Sequence, residues 1–135
     1  MKTELLNAMG IVFFSTEYDL RHDWVYNYWK GYQTFDNVVS GAQACLTNLR
    51  EHHCSRILND NSQVSGPWDH ANTWIKKEWM PQAIGAGLKY FAHVVTPNTL
   101  AEMSARDMHR NAVGIFEMRV FGDLRDARTW LSETK

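Results

Sequence analysis

The hydrophobic period of this chain alternates between two and about 3.6 residues, and that alternation most restricts what it can fold into. Ile11 to Tyr18 is rich in β-branched and aromatic residues and reads as a strand. Asp23 to Lys30 alternates, with Trp24, Tyr26 and Tyr28 on one face and Val25, Asn27 and Trp29 on the other. A short polar connection joins the two, so they are expected to pair as an antiparallel hairpin. From Thr34 the period becomes helical: Phe35, Val38, Val39, Ala42, Cys45, Leu46 and Leu49 form one stripe. Thr34 suits the N-cap and Asp36 the first turn of that helix, which should fade between Glu51 and Cys54.

The alternation then repeats. Arg56 to Asp60 reads as a buried parallel strand, and Asn61 to Gly66 as a loop. Pro67 suits a first helical position. The helix behind it carries Trp68, Ala71, Ile75 and Trp79 on one stripe and should stop near Met80, with Pro81 opening a short second turn. Lys89 to Thr96 is the next strand. Thr99 with Glu102 offers a capping box for a helix through about Arg110. Gly114 to Phe121 is the last strand, and Asp123 caps a closing helix with Leu124, Ala127, Trp130 and Leu131 facing inward.

The expected order is β-β-α-β-α-β-α-β-α: an α/β chain whose mainly parallel sheet carries an N-terminal antiparallel hairpin, with helices packed on it. No linker, repeat or low-complexity tract divides the chain, so residues 1–135 read as one domain. Its 135 residues are enough to bury a core without disulfides or metals. Cys45 and Cys54 lie nine residues apart; on one helix that is roughly 13 Å, beyond disulfide reach. Reduced thiols, no signal-peptide pattern at the start and no apolar run of membrane-spanning length lead to the expectation of a cytoplasmic protein. A formal net charge of −1 argues against a dedicated nucleic-acid or anionic-membrane binder.

Short motifs along nearly the whole chain resemble the SpoIIAA-like group, comprising STAS domains (anti-sigma factor antagonists) and related STAS/SEC14-type small bacterial proteins. They are Trp29-Lys30-Gly31 after the hairpin, Ile57-Leu58-Asn59-Asp60-Asn61-Ser62, and Gly87-Leu88-Lys89-Tyr90-Phe91-Ala92 leading into a strand. Phe121-Gly122-Asp123 followed by Ala127-Arg128-Thr129-Trp130-Leu131 resembles the end of the family. In its regulatory branch, the resemblance implies a serine at the start of the helix after the third strand, phosphorylated by a kinase that doubles as an anti-sigma factor. The matching region is Val64-Ser65-Gly66-Pro67, which has no acidic residue before the serine and has Pro67-Trp68 where a small aliphatic continuation is usual. The SEC14-type branch implies an apolar cavity instead.

The candidate site residues come from two arguments. Ligands in open α/β sheets sit beyond the carboxyl ends of the strands, which draws attention to the segment from Asp60 to Trp68. Ser62, Ser65 and free N–H groups at a helix start could hold an anion; the commoner arrangement is that Ser65 caps the helix while Asp60, Asn61 and Ser62 make turn hydrogen bonds. The second argument is the aromatic load, 13% of the chain. Trp24, Tyr26 and Tyr28 on the hairpin, with Trp68, Trp74 and Trp79 on the second helix, could line a ligand pocket, fill the core or form a homodimer face. Trp74 lies off the core stripe, which favours it for a pocket or interface. His93, mid-strand beside Phe91 and Val95, is expected as a hydrogen-bonded core residue, or as a site residue if Asp60 approaches it.

His52-His53-Cys54 are consecutive and diverge on a helix, so no metal is expected, and no phosphate-binding loop, dinucleotide fingerprint or nucleophile elbow calls for a cofactor. The function expected is a non-enzymatic regulatory or binding role towards a protein partner or a small apolar, lipid-like ligand. The alternatives are a small enzyme using the Asp60–Trp68 segment with His93, and a structural homodimer module. Candidate residues are Tyr28, Asp60, Ser62, Ser65, Trp68, Trp74 and His93.

Overall fold

A computed structural model describes residues 2–134. Six strands form one sheet in sequence order, β1 (Lys2–Leu6), β2 (Val12–Asp19), β3 (Trp24–Gly31), β4 (Arg56–Val64), β5 (Tyr90–Val94) and β6 (Glu117–Phe121). β1 to β3 pair antiparallel, and β3 to β6 pair parallel. The α/β class and the hairpin are as expected from sequence. β1 is an addition: its residues are mostly exposed and carry no alternating apolar face, so only pairing with β2 reveals it as a strand.

Each step from β3 to β6 moves one strand over in the same direction. Right-handed crossovers then place all the connecting helices on the same face of the sheet. That face carries α1 (Phe35–His52), a composite helix over 69–85 that includes α2 (Asn72–Trp74) and α3 (Met80–Gly85), and α4 (Leu100–Ala112). α5 (Leu124–Glu133) follows the last strand and covers the other face, packing Ala127 and Leu131 against Trp24, Leu58, Ala92 and Val94. Trp24 is therefore core and not surface. Trp130, expected to face the core, is half-buried between Tyr90 and Phe121, with the Arg119 guanidinium 5.1 Å from its ring.

The expected caps form. Thr34 accepts from Asn37 N–H, Thr99 from Glu102 N–H, and Asp123 from Arg125 N–H. Three boundaries differ from the sequence reading. Residues 61–64, read as the start of a loop after the strand Arg56 to Asp60, lie inside β4, because β3 continues alongside them to Gly31. The helix also passes through Pro81. Ile75–Trp79 widens into a π-helical turn ahead of α3 (Met80–Gly85), which accommodates a residue that cannot donate an N–H. No helix starts at Ser65 or Pro67; the first helical turn, Asp69–Ala71, is a 3-10 turn without a side-chain cap.

One side chain ties the two layers. Arg56 donates from Nη1 to Leu131 O at 2.9 Å, from Nη2 to His22 O at 2.9 Å and from Nε to Asp23 O at 3.2 Å. It thereby joins the β2–β3 turn to the C-terminal end of α5, where the helix dipole favours a cation. Arg56→Ala is expected to lower stability by about 2–3 kcal/mol, measured by urea unfolding, and to loosen α5 first in amide exchange. A loss below about 0.5 kcal/mol would show that the three carbonyls are equally well served by water.

Candidate functional site

A cavity of about 50 Å³ lies between the sheet and its helical layer. Its floor is Asn27 and Trp29 of β3, Asn59 and Asn61 of β4, and Phe91 and His93 of β5. Val38, Ala42 and Cys45 of α1, Trp68, Ile75 and Trp79 around the composite helix, Met108 of α4 and Gln33 close it. Every one of these residues is buried. The π-helical turn spans two of the walls, Ile75 and Trp79, so the widening forced by Pro81 also shapes the cavity.

The walls are largely aromatic, and several are held by hydrogen bonds. Trp29 Nε1 donates to Asn59 Oδ1 at 2.9 Å, Asn59 Nδ2 donates to Asn61 Oδ1 at 3.2 Å, and Trp79 Nε1 donates to Ala42 O at 2.9 Å. Asn27 Nδ2 donates to Cys45 Sγ at 3.1 Å. Burial pushes the Cys45 thiol up to about 12, so it stays protonated at neutral pH and is a wall rather than a nucleophile.

Other polar atoms on the same residues are not satisfied. Asn27 Oδ1, Gln33 Oε1, Trp68 Nε1 and both ring nitrogens of His93 are buried with no hydrogen-bond partner in the protein. Only Asn72 Oδ1, away from the cavity, shares that condition among the described residues. Leaving such a group unpaired costs about 1–3 kcal/mol, so gathering several around one space is unusual for core packing. His93 lies parallel to Trp68 with ring centroids 5.7 Å apart. Burial lowers its pKa to about 3, so the imidazole is neutral at pH 7. The expectation of a hydrogen-bonded core histidine is thus half met: it is core, but it is not hydrogen-bonded within the protein.

Of the candidates read from sequence, His93 and Trp68 line this cavity. Asp60 does not. It accepts from Tyr26 Oη at 2.8 Å and from Ser62 N–H at 3.0 Å, and with Tyr28 it faces the α5 side of the sheet. His93 points from the opposite side, in register with Asn59, so the two do not converge. Ser62 lies within β4 and its carbonyl accepts from Thr96 Oγ1. Ser65 is exposed, with its N–H donated to Gly31 O. Trp74 is half-buried outside the cavity, edge-on to Phe35 at 6.4 Å. The amides of Asn27, Gln33, Asn59 and Asn61 were missed. A signal was available, because Asn27 sits between Val25 and Trp29 on the inward face, and asparagine is disfavoured within strands.

No helix among the described residues is long and apolar enough to cross a membrane. No protein-family model matches the chain, and no curated protein matches it. Among solved structures, the chain is similar to an uncharacterized DUF3478-family protein from Shewanella loihica PV-4 described as having a SpoIIAA-like fold. The identity is 19%, the match covers 87% of this chain and 91% of that one, and the TM-score is 0.53. Identity this low speaks to architecture alone. The resemblance read from the motifs therefore holds at the level of architecture: the chain has a SpoIIAA-like fold.

Proposed function

We propose that this chain is a binding module that encloses a small ligand between the sheet and its helices, rather than an enzyme built on Asp60 and His93. The observation that supports it is the set of unpartnered polar atoms on Asn27, Gln33, Trp68 and His93 around one aromatic-walled cavity. An apolar enclosure with a few polar groups that fix orientation is the usual form of a small-molecule site. The ligand is compact: a single water needs roughly 10–15 Å³ of such space, so about 50 Å³ suits a molecule of a few heavy atoms and not a lipid chain. That replaces the lipid-like ligand expected from the SEC14-type branch with a smaller one.

Tryptophan fluorescence tests the reading, since Trp29, Trp68 and Trp79 all line the cavity. A library of fragments with up to about six heavy atoms should contain members that change the emission saturably and raise the thermal midpoint. Ala42→Val, which adds two carbons to the wall, should stay folded and lose both responses. If no fragment shifts either signal at millimolar concentration, or if Ala42→Val responds unchanged, the cavity is not a binding site.

A further inference from the structure

We infer that β6 is an interface between two copies of this chain, paired antiparallel about Met118 so that the two sheets become one. Glu117 N–H donates to Lys89 O at 3.0 Å and Phe121 O accepts from Val95 N–H at 2.9 Å, so Glu117, Arg119 and Phe121 turn their main-chain groups towards β5. Met118 and Val120 turn theirs outward, and among the described residues nothing pairs with that side of the strand. An unpaired edge is a template for a further strand unless something guards it. β1, at the opposite edge, is guarded by Lys2 and by a register shift between Leu5 and Leu6. β6 keeps an unbroken register with β5 from Glu117 to Phe121. Beside β6 a groove of about 410 Å³ reaches Met118, with Val113 72% and Ile115 40% exposed on its rim. The pairing brings the partner's Phe121 level with Ile115.

Charge selects both the occupant and the register. Glu117 and Arg119 are the charged residues of β6; they lie on one face, half exposed, and meet at 3.4 Å. About a two-fold axis at Met118, Glu117 stands opposite the partner's Arg119 and Arg119 opposite the partner's Glu117, so both cross-strand pairs attract. Moving the axis by one residue sets Arg119 against Arg119 or Glu117 against Glu117, and both repel. The strand is its own complement in one register, as an interface between identical surfaces requires. Met118 exchanges N–H and C=O bonds with its counterpart there. Exposed ion pairs add little affinity, so they set the alignment while the main-chain bonds hold the edges together.

Analytical ultracentrifugation of the full chain up to about 500 µM, a range suited to a small interface, tests the pairing. The wild type is expected to dimerise. Glu117→Arg and Arg119→Glu each make both cross-strand pairs repulsive and should weaken self-association about tenfold or more. Mixed one to one, the two variants again face opposite charges and should associate as tightly as the wild type. Val120→Pro removes an outward N–H and leaves the β5 ladder intact, so it should be monomeric with a native circular dichroism spectrum. A wild type that stays monomeric across the range overturns the proposal. A dimer that is unaffected by the single charge variants or by Val120→Pro overturns it as well, and so does a mixture that fails to reassociate.

Discussion

Replacing His93 with leucine is expected to raise the thermal midpoint of the ligand-free protein and to flatten its acid sensitivity. The ring is 1% exposed, and both nitrogens lack a partner in the protein. Substituting an apolar side chain of similar size removes an unpaired buried group worth about 1–3 kcal/mol, or several degrees in midpoint for a chain of this length. The pH dependence has a definite sign. Unfolded, His93 takes a proton near the ordinary histidine value of 6.5; folded, burial delays that to about 3. Between those values the unfolded state binds more protons, so stability is complete above about pH 6.5 and falls as the pH drops towards 3. The difference between wild type and His93→Leu should grow by roughly 4 kcal/mol across that window, which isolates this histidine from the other, more accessible ones. Urea unfolding at several pH values measures it. A destabilised variant with an unchanged acid slope would show that the ring is well satisfied in the native protein. A wild-type residue that lowers stability while lining a cavity is the pattern expected where binding rather than folding has chosen it.

The second large effect lies in the cavity wall. Gly41 sits within α1, and a Cβ built there would approach Trp29 Cζ3 to 2.8 Å and Cη2 more closely still. The indole has little room to yield. Nε1 is hydrogen-bonded to Asn59, and the ring packs on Phe14 with centroids 4.3 Å apart. Gly41→Ala gains about 1 kcal/mol of helix propensity, yet overpacking of this kind costs about 1–3 kcal/mol, so the net loss should be modest. Gly41→Val adds bulk and loses most of the propensity gain, and it should cost about 4 kcal/mol. Trp29→Phe shortens the ring, so the double variant with Gly41→Ala should be more stable than the two single losses added together. Strict additivity would mean that helix and ring are not in contact. Because Trp29 also lines the cavity, Gly41→Ala should weaken ligand binding in step with stability.

Much of the architecture was legible in the chain because its cues are local. Thr34, Thr99 and Asp123 cap helices by reaching N–H groups two or three residues ahead, so sequence spacing alone locates them. Strand alternation and helical stripes depend on neighbours in the same element, and they placed every parallel strand. β1 was not legible because its signal is the partner: Lys2–Leu6 has no buried face of its own and exists as a strand through Thr3↔Thr16 and its neighbouring pairs. The continuation of β4 past Asp60, read as a loop, was not legible for a related reason. Asparagine and aspartate suggest turns when their side chains must turn back to their own backbone. Here Asn59 and Asn61 are served by Trp29 and by each other, and Asp60 by Tyr26 across the strand pair.

The site divides along the same line. Sequence determined that His93 lies mid-strand, and it put Asn27 on one face with Val25 and Trp29; it placed Trp68 on a helix, whereas Trp68 stands just ahead of the first helical turn. It could not determine which face of β4 carries Asp60 relative to His93, since that depends on the register between β4 and β5. In that register Asn59 stands opposite His93, while Asp60 stands opposite Val94 and faces α5. Tertiary packing alone decided that Gln33, Asn27, Trp68 and His93 line one cavity and that each keeps a buried polar atom without a partner in the protein. Those residues are brought together from separate strands and helix starts, and whether a polar atom is satisfied depends on what packs against it, which no local pattern encodes.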